Sequence, residues 1–392
     1  MTTRLQLASR MSQLGTETAF EIVNKVKALE AQGRQIVHLH IGAPDFRTPE
    51  HVVEAGRKAL ADGYHGYTPA KGLLPVREAV ADYCGTFHKA KVDPDDVLIV
   101  PGGKPTMTYA IQMFGEPGTE ILYPNPGFPI YESMIRFTGA TPVPIPLEEA
   151  RGFSFDPEAA LAQITPRTRL LILNTPANPT GGVVRKAELD KLVAGLEKHP
   201  HVALLSDEIY SRLLYDGEQH TSLLSYESLR ERTILLDGWS KTYAMTGWRM
   251  GFGVWPRALV AHAERLQINS TSCTNAAAQM AGMAALRGPQ ECVERMRTAF
   301  DARRKLIVKE LNSIPGFRCS TPKGAFYAFP NTSGTGMSSK KLESLLLENG
   351  VSCLAGTSFG ALGEGFLRFS YANSEANISE GMKRVRACLQ PA

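Results

Sequence analysis

One lysine in the chain has neighbours that could make its amine a nucleophile. Lys241 follows the apolar run TILLD (Thr233–Asp237) in the segment Gly238-Trp239-Ser240-Lys241-Thr242-Tyr243, and Arg249 lies eight residues further on. A lysine taken alone is an ordinary solvated surface residue. Desolvation at a strand end would lower the pKa of its ammonium and expose a reactive amine. Arg249 adds a fixed planar cation of the kind that suits a phosphate.

Similar residues follow other apolar runs. After VALLS (Val202–Ser206) come Asp207, Glu208, Ile209 and Tyr210; after LLILN (Leu170–Asn174) comes Thr175-Pro176-Ala177-Asn178-Pro179-Thr180-Gly181-Gly182. A carboxylate at an apolar strand end is costly unless paired. Asp207 reads either as a helix N-cap or as the partner of a cationic ligand nitrogen. Tyr210 is expected on the same side of one turn as Asp207, and the Asn178 amide is placed to donate to an oxygen at the strand end. After VLIV (Val97–Val100), Gly102, Gly103 and Lys104 precede a predicted helix from Pro105 onward. Such a loop can be a plain turn, or its glycines can let backbone N–H groups and a helix N-terminus approach an anion. Near the C-terminus, alternation in Gly365–Ser370 sets Arg368 opposite Leu367 and Phe369. An arginine in so apolar a strand wants an anion, either a structural carboxylate or a substrate.

The elements that must position these groups read as an α/β fold. The runs above, with EILY (Glu120–Tyr123) and MGFGV (Met250–Val254), are short, apolar and often β-branched. That is the texture of strands buried on both faces of a mostly parallel sheet. Amphipathic segments such as Lys186–Lys198 alternate with them, which predicts a sheet sandwiched by helices. In such sheets ligands collect at the carboxyl ends of strands. From about Pro289 the texture changes to one long predicted helix, Glu291–Leu311, and short strands in GAFYAFP, GVSCL and GFLRFS. A helix is also predicted around Thr18–Gln32. We expect a large domain over residues 48–288 and a smaller α+β domain built from 1–47 and 289–392, since 392 residues exceed one ordinary core.

Composition excludes several classes. With 43% hydrophobic and 21% charged residues the chain is globular. A net charge of +4 without a basic run argues against nucleic acid as a partner. No apolar stretch approaches the roughly 18 residues of a membrane span, and the start MTTRLQLASRMSQLG lacks the apolar middle of a signal peptide. The six cysteines are scattered without a C-x-x-C pair. They suggest free thiols in a cytoplasmic enzyme, neither a disulfide framework nor a metal site.

Taken in order, IGAPDFRTPEHV, GYTPAKG, PGGK, YPNPGFPIY, NTPANPTGG, SDEIY, SKTYAMTGWRMGF, GAFYAFP and LRFSYA resemble the class I/II, aspartate-aminotransferase-like family of fold-type I pyridoxal-phosphate enzymes. The resemblance covers nearly the whole chain. It implies that Lys241 holds pyridoxal 5'-phosphate as a Schiff base and shuttles a proton as general acid and base. It implies that Asp207 pairs with the ring nitrogen, that Tyr210 and Asn178 hydrogen-bond the ring 3' oxygen, and that Phe128 stacks on the ring unless it is a plain core aromatic. Gly103, Lys104, Ser240 and Arg249 would surround the phosphate. Arg368, helped by the Gly42 backbone and by Asn178, would take the substrate carboxylate. Tyr67 would reach the phosphate of the other subunit, which makes the active unit a homodimer with shared sites.

Three positions depart from the pattern. Gly238 stands where many relatives carry serine, Pro105 where glutamine is frequent, and Ala177 where a first asparagine is frequent. The expected reaction is amino transfer between an L-amino acid and a 2-oxo acid, with 2-oxoglutarate as one partner. A carbon–sulfur β-lyase on the same fold is the alternative, and a cofactor-binding regulator would have no need of Arg368. Aspartate, alanine and aromatic or other neutral donors stay open. Arg47 and Lys104 are the candidates for a cation that reads a side-chain carboxylate.

Overall fold

The computed structural model of the chain describes residues 5–15 and 18–389, without the side chains of 18–21. The first four residues of the opening segment therefore lie outside the described part. A short strand β1 (Val37–His38) comes first, followed by β2 (Val97–Val100), β3 (Glu120–Asn125), β4 (Thr141–Pro146), β5 (Thr168–Asn174), β6 (Ala203–Asp207), β7 (Thr233–Gly238) and β8 (Gly251–Val254). The last four are β9 (Tyr327–Ala328), β10 (Val351–Ser352), β11 (Leu354–Ala355) and β12 (Leu367–Ser370).

Strands β2 to β8 form one seven-stranded sheet in the order β2-β8-β7-β6-β5-β3-β4. Its pairs are parallel except those of β8, which runs antiparallel to both β2 and β7. The sheet is therefore mostly parallel, as expected, with MGFGV reversed. Alternation splits each strand between two cores. Val97, Ile99, Leu235 and Phe252 pack against helices Glu50–Ala61, Leu74–Thr86 and Ala276–Arg287. Leu98, Val100, Ile172 and Leu236 pack against helices Lys104–Phe114, Ile130–Thr138 and Arg257–Ser270. Burial on both faces is why these runs lack polar alternation.

Strand β4 escapes prediction. Its sequence TPVPIP has proline at every second position, and proline cannot donate to a ladder, so it is confined to an edge. Here it pairs on one side only, parallel to β3.

Of two smaller sheets, β1-β10 joins the early and late parts of the chain, and β11-β12-β9 is built from the late part alone. The helix predicted near the N-terminus spans Thr18–Glu30, the long late one spans Glu291–Asn312, and that predicted over Lys186–Lys198 ends at Leu196. Among the described residues no helix is long and apolar enough to cross a membrane, and all six cysteines are free thiols.

Candidate active site

The register of the sheet brings separate strand ends to one edge. Asn174 at the end of β5 faces Asp207 at the end of β6. Gly238 and Val100, the last residues of β7 and β2, both face Gly251. A cavity of about 570 Å³ opens over these ends. Its lining includes Gly42, Gly103, Lys104, Phe128, Asn178, Asp207, Tyr210, Ser240, Lys241, Arg249 and Arg368. Tyr67 is elsewhere, on the surface and 94% exposed. Arg47 lines a second cavity with His51, Tyr243 and Cys292, so of the two candidate side-chain cations only Lys104 belongs to this site.

Lys241 sits on a single helical turn, Trp239–Thr242, directly after β7. Its Nζ donates to the Gly42 carbonyl at 2.6 Å and lies 5.9 Å from the Tyr210 ring and 5.8 Å from Phe326. The amine is thus held at the mouth of the sheet among aromatic faces.

Asp207 is buried and accepts hydrogen bonds from Tyr131 Oη at 2.6 Å and from the Ile209 N–H at 3.3 Å. No helix follows it, since residues 209–212 form turns, so the helix N-cap alternative does not apply. Burial raises its carboxyl pKa; the bonds from Tyr131 and Ile209 lower it, and the result is about 6. No lysine or arginine ion-pairs with it among the described residues, so a cationic ligand nitrogen would relieve the cost of its charge. The Asn174 amide donates to the Asp207 carbonyl at 3.0 Å, fixing the ends of β5 and β6 together.

Tyr210 lines the same cavity as Asp207. Its hydroxyl meets the hydroxyl of Tyr327 at 2.7 Å, and burial pushes its pKa up. Sequence reasoning missed Tyr131 and Tyr327. The first stands three residues after Phe128 in a helix and the second within GAFYAFP, and neither spacing by itself points to the site.

Arg368 is buried in β12 between the rings of Tyr327 and Phe359, at 4.5 and 4.8 Å. It donates to Asn178 Oδ1 at 3.0 Å and to the His40 carbonyl at 2.5 Å. The carbonyl oxygen of Asn178 is thereby engaged, which leaves its NH2 to act as donor. His40 is kept neutral: burial first, then the charges of His38 and Arg368, lower its pKa to about 3.

The loop Gly102–Gly103 leads into helix Lys104–Phe114, whose N-cap Gly103 and first residue Lys104 line the cavity, so its unpaired N-terminal N–H groups start there. Gly102 has φ +82°, and a Cβ there would stand 2.1 Å from Arg249 Nη2. This cradle therefore requires glycine. Lys104 Nζ lies 5.5 Å over the Phe128 ring.

The departures from the family pattern have local reasons. A Cβ on Gly238 would come within 2.8 Å of Gly251 Cα, so the close β7–β8 approach excludes serine. Pro105 occupies the first turn of its helix, where a missing N–H costs nothing. Ala177 is buried, and its backbone closes the loop to Gly182 and Gly181.

A strand-end amine, a buried carboxylate awaiting a cation, and a glycine cradle beside an arginine at a helix N-terminus match the amine, ring nitrogen and phosphate requirements of one cofactor. Fold and site together define a pyridoxal-phosphate-dependent enzyme of fold type I. A family model described as "Aminotransferase class I and II" matches residues 34–385. The aspartate aminotransferase of Pyrococcus horikoshii is 37% identical over 387 residues, 98% of this chain and 97% of that one. The aromatic-amino-acid aminotransferase 2 of Thermococcus litoralis is 35% identical over 98% of this chain and 99% of its own. The structure of Thermus thermophilus aspartate aminotransferase with maleate superposes with a TM-score of 0.93 at 35% identity, covering 98% of this chain and 100% of that one. The chain belongs to the class I and II aminotransferases, and pyridoxal phosphate is its cofactor.

Proposed function

We propose that the enzyme transfers an amino group from an L-amino acid to a 2-oxo acid, with 2-oxoglutarate as acceptor, and that it takes dicarboxylic donors such as aspartate alongside neutral or aromatic ones. The observation that carries this reading is that Arg368 and Lys104 open on one cavity, together with apolar Val23, Ile41 and Met107. Two cations suit the two carboxylates of an acidic substrate, while the apolar lining suits a neutral side chain. The relatives named for aspartate and for aromatic substrates, and the neighbour crystallised with the dicarboxylate maleate, agree with that breadth.

In this reading Arg368 and the Gly42 backbone orient the substrate carboxylate, and Asn178 and Tyr210 donate to the 3' oxygen of the ring. Asp207, held by Tyr131, keeps the ring nitrogen protonated, and Phe128 stacks on the ring. Gly103, Ser240 and Arg249 hold the phosphate with the helix N-terminus, and Lys104 adds charge beside it. The cofactor, when bound, supplies the electron sink that makes the substrate Cα–H acidic. Lys241 would hold and return the substrate Cα proton as base and acid.

Tyr67 serves the phosphate of a second copy in a homodimer. Its 94% exposure, with Leu60, Tyr64, Leu74 and Ile268 also exposed, supports a face buried by that copy. We place the division of the chain at residues 48 and 288 and its workplace in the cytoplasm, which suits six free thiols.

A panel of amino donors with 2-oxoglutarate tests the reading by glutamate formation. Pyruvate and ammonia released without glutamate would overturn it in favour of a β-lyase. For Lys104→Ala we expect kcat/KM for aspartate to fall by about 10- to 100-fold, the scale of one charge-assisted contact, with neutral donors nearly unchanged. Weaker cofactor retention with no change in donor preference would instead assign Lys104 to the phosphate alone.

A further inference from the structure

The roles above leave unused a group of charged residues buried behind the strand ends. Glu208 follows Asp207 at the end of β6, and Asp237 is the next-to-last residue of β7, just before the turn that carries Lys241; both are buried, as is His88 between them. His88 Nε2 is 3.1 Å from Asp237 Oδ2, and its Nδ1 is 3.2 Å from Glu208 Oε2. His220 Nε2 approaches the same Glu208 oxygen at 2.6 Å. The other Glu208 oxygen accepts from Ser206 Oγ, Ser222 Oγ and the Leu223 N–H, at 2.6, 2.9 and 3.2 Å. Asp237 accepts from the Gly238 N–H at 2.7 Å and from Ser211 Oγ at 3.4 Å. Tyr83 and Phe87 pack edge-on against His88, and Arg212 lies over Phe87 at 5.0 Å.

Buried carboxylates need neutralising charge, and among the described residues no lysine or arginine ion-pairs with either one. A neutral imidazole has a single N–H and could satisfy only one of the two, leaving a ring lone pair against the other carboxylate. An imidazolium donates from Nε2 to Asp237 and carries its charge within ion-pair distance of Glu208.

We propose that His88 is a positioning residue of the cofactor site: as an imidazolium it bridges Glu208 and Asp237, fixing the carboxyl ends of β6 and β7, and with them Asp207 and Lys241, while offsetting the two anions beside them. Burial alone would lower the His88 pKa, but the hydrogen bond to Asp237 and the adjacent Glu208 carboxylate carry it to about 9. The same two anions push the Asp207 carboxyl upward. Without His88 their charge is uncompensated, Asp207 binds a proton more readily, and the ring nitrogen loses its partner. This last step rests on the proposed role of Asp207; the charge on His88 does not.

The folded pKa of His88 lies above its unfolded value of 6.5. Its contribution to stability is therefore complete below about pH 6.5 and is lost as pH rises through about 9. In histidine-labelled wild-type holoenzyme, nitrogen NMR should find a doubly protonated imidazole at about pH 8, where exposed histidines are neutral. The signal is assigned by its absence in His88→Gln. If all nine histidines are neutral there, the proposal fails, whatever Asp207 does.

In His88→Gln holoenzyme, the added net negative charge should raise the pH midpoint of the visible cofactor absorbance by about one unit. We expect kcat to fall about 10-fold with the donor KM within about twofold. Adding Asp237→Asn, which removes one uncompensated anion, should restore most of both. A lowered melting temperature with an unmoved midpoint, or a double variant no better than the single, would overturn the positioning role.

Discussion

Lys241→Ala should lose transamination by about 10⁵- to 10⁶-fold in kcat/KM, the scale seen when the nucleophile of a covalent mechanism is removed. The loss should be chemical. Lys241 is only partly buried. Its Nζ donates to the Gly42 carbonyl on the cavity wall. Truncation leaves that carbonyl facing solvent, so stability should change by no more than about 1 kcal/mol. Lys241→Arg should be nearly as inactive, since a guanidinium keeps the charge but is not a nucleophile at neutral pH. Steady-state rates beside thermal unfolding check this; an alanine variant within about 100-fold of wild type would take the lysine out of the chemistry.

Arg368→Ala should lower kcat/KM for every amino donor by about 10²- to 10³-fold, the cost of losing a buried charged partner for a carboxylate. Acidic and neutral donors should suffer alike, because all share the α-carboxylate, whereas Lys104→Ala should separate them. The cofactor should stay bound. Arg368 is held between Tyr327 and Phe359 and donates to Asn178 and the His40 carbonyl. Its removal leaves two buried acceptors without their donor, for which about 1–3 kcal/mol of stability should also be lost. Arg368→Lys should recover little, since a point charge cannot reproduce the planar fork that meets a carboxylate with two parallel bonds. Unchanged kcat/KM in the alanine variant would contradict the assignment.

The sheet and most strand-end residues were readable from sequence because burial on both faces leaves an unbroken apolar run, and the next residue then sits at the strand's carboxyl end. Asn178, Asp207 and Lys241 were located that way. What escaped was set by distance. Tyr131 reaches Asp207 from 76 residues away, and Tyr327 reaches Tyr210 from 117 away. His88 meets Asp237 across 149 positions, and it follows a helix with no apolar run to point to it. Strand β4 was hidden by its prolines, whose edge position depends on which neighbours the sheet acquires. The reversal of β8 is likewise a matter of topology, since a buried apolar run looks the same in either direction. The choice between Arg47 and Lys104 needed three dimensions: both are basic residues in turn-rich segments, and only one lines the cavity.

The most direct test of the account is borohydride reduction of the holoenzyme followed by peptide mapping. Reduction fixes the cofactor to whichever amine carries it. The account predicts a single modified peptide containing Ser240-Lys241-Thr242, with no label in the Lys241→Ala variant. Label on any other lysine, or an unlabelled Lys241 peptide from active enzyme, would contradict it.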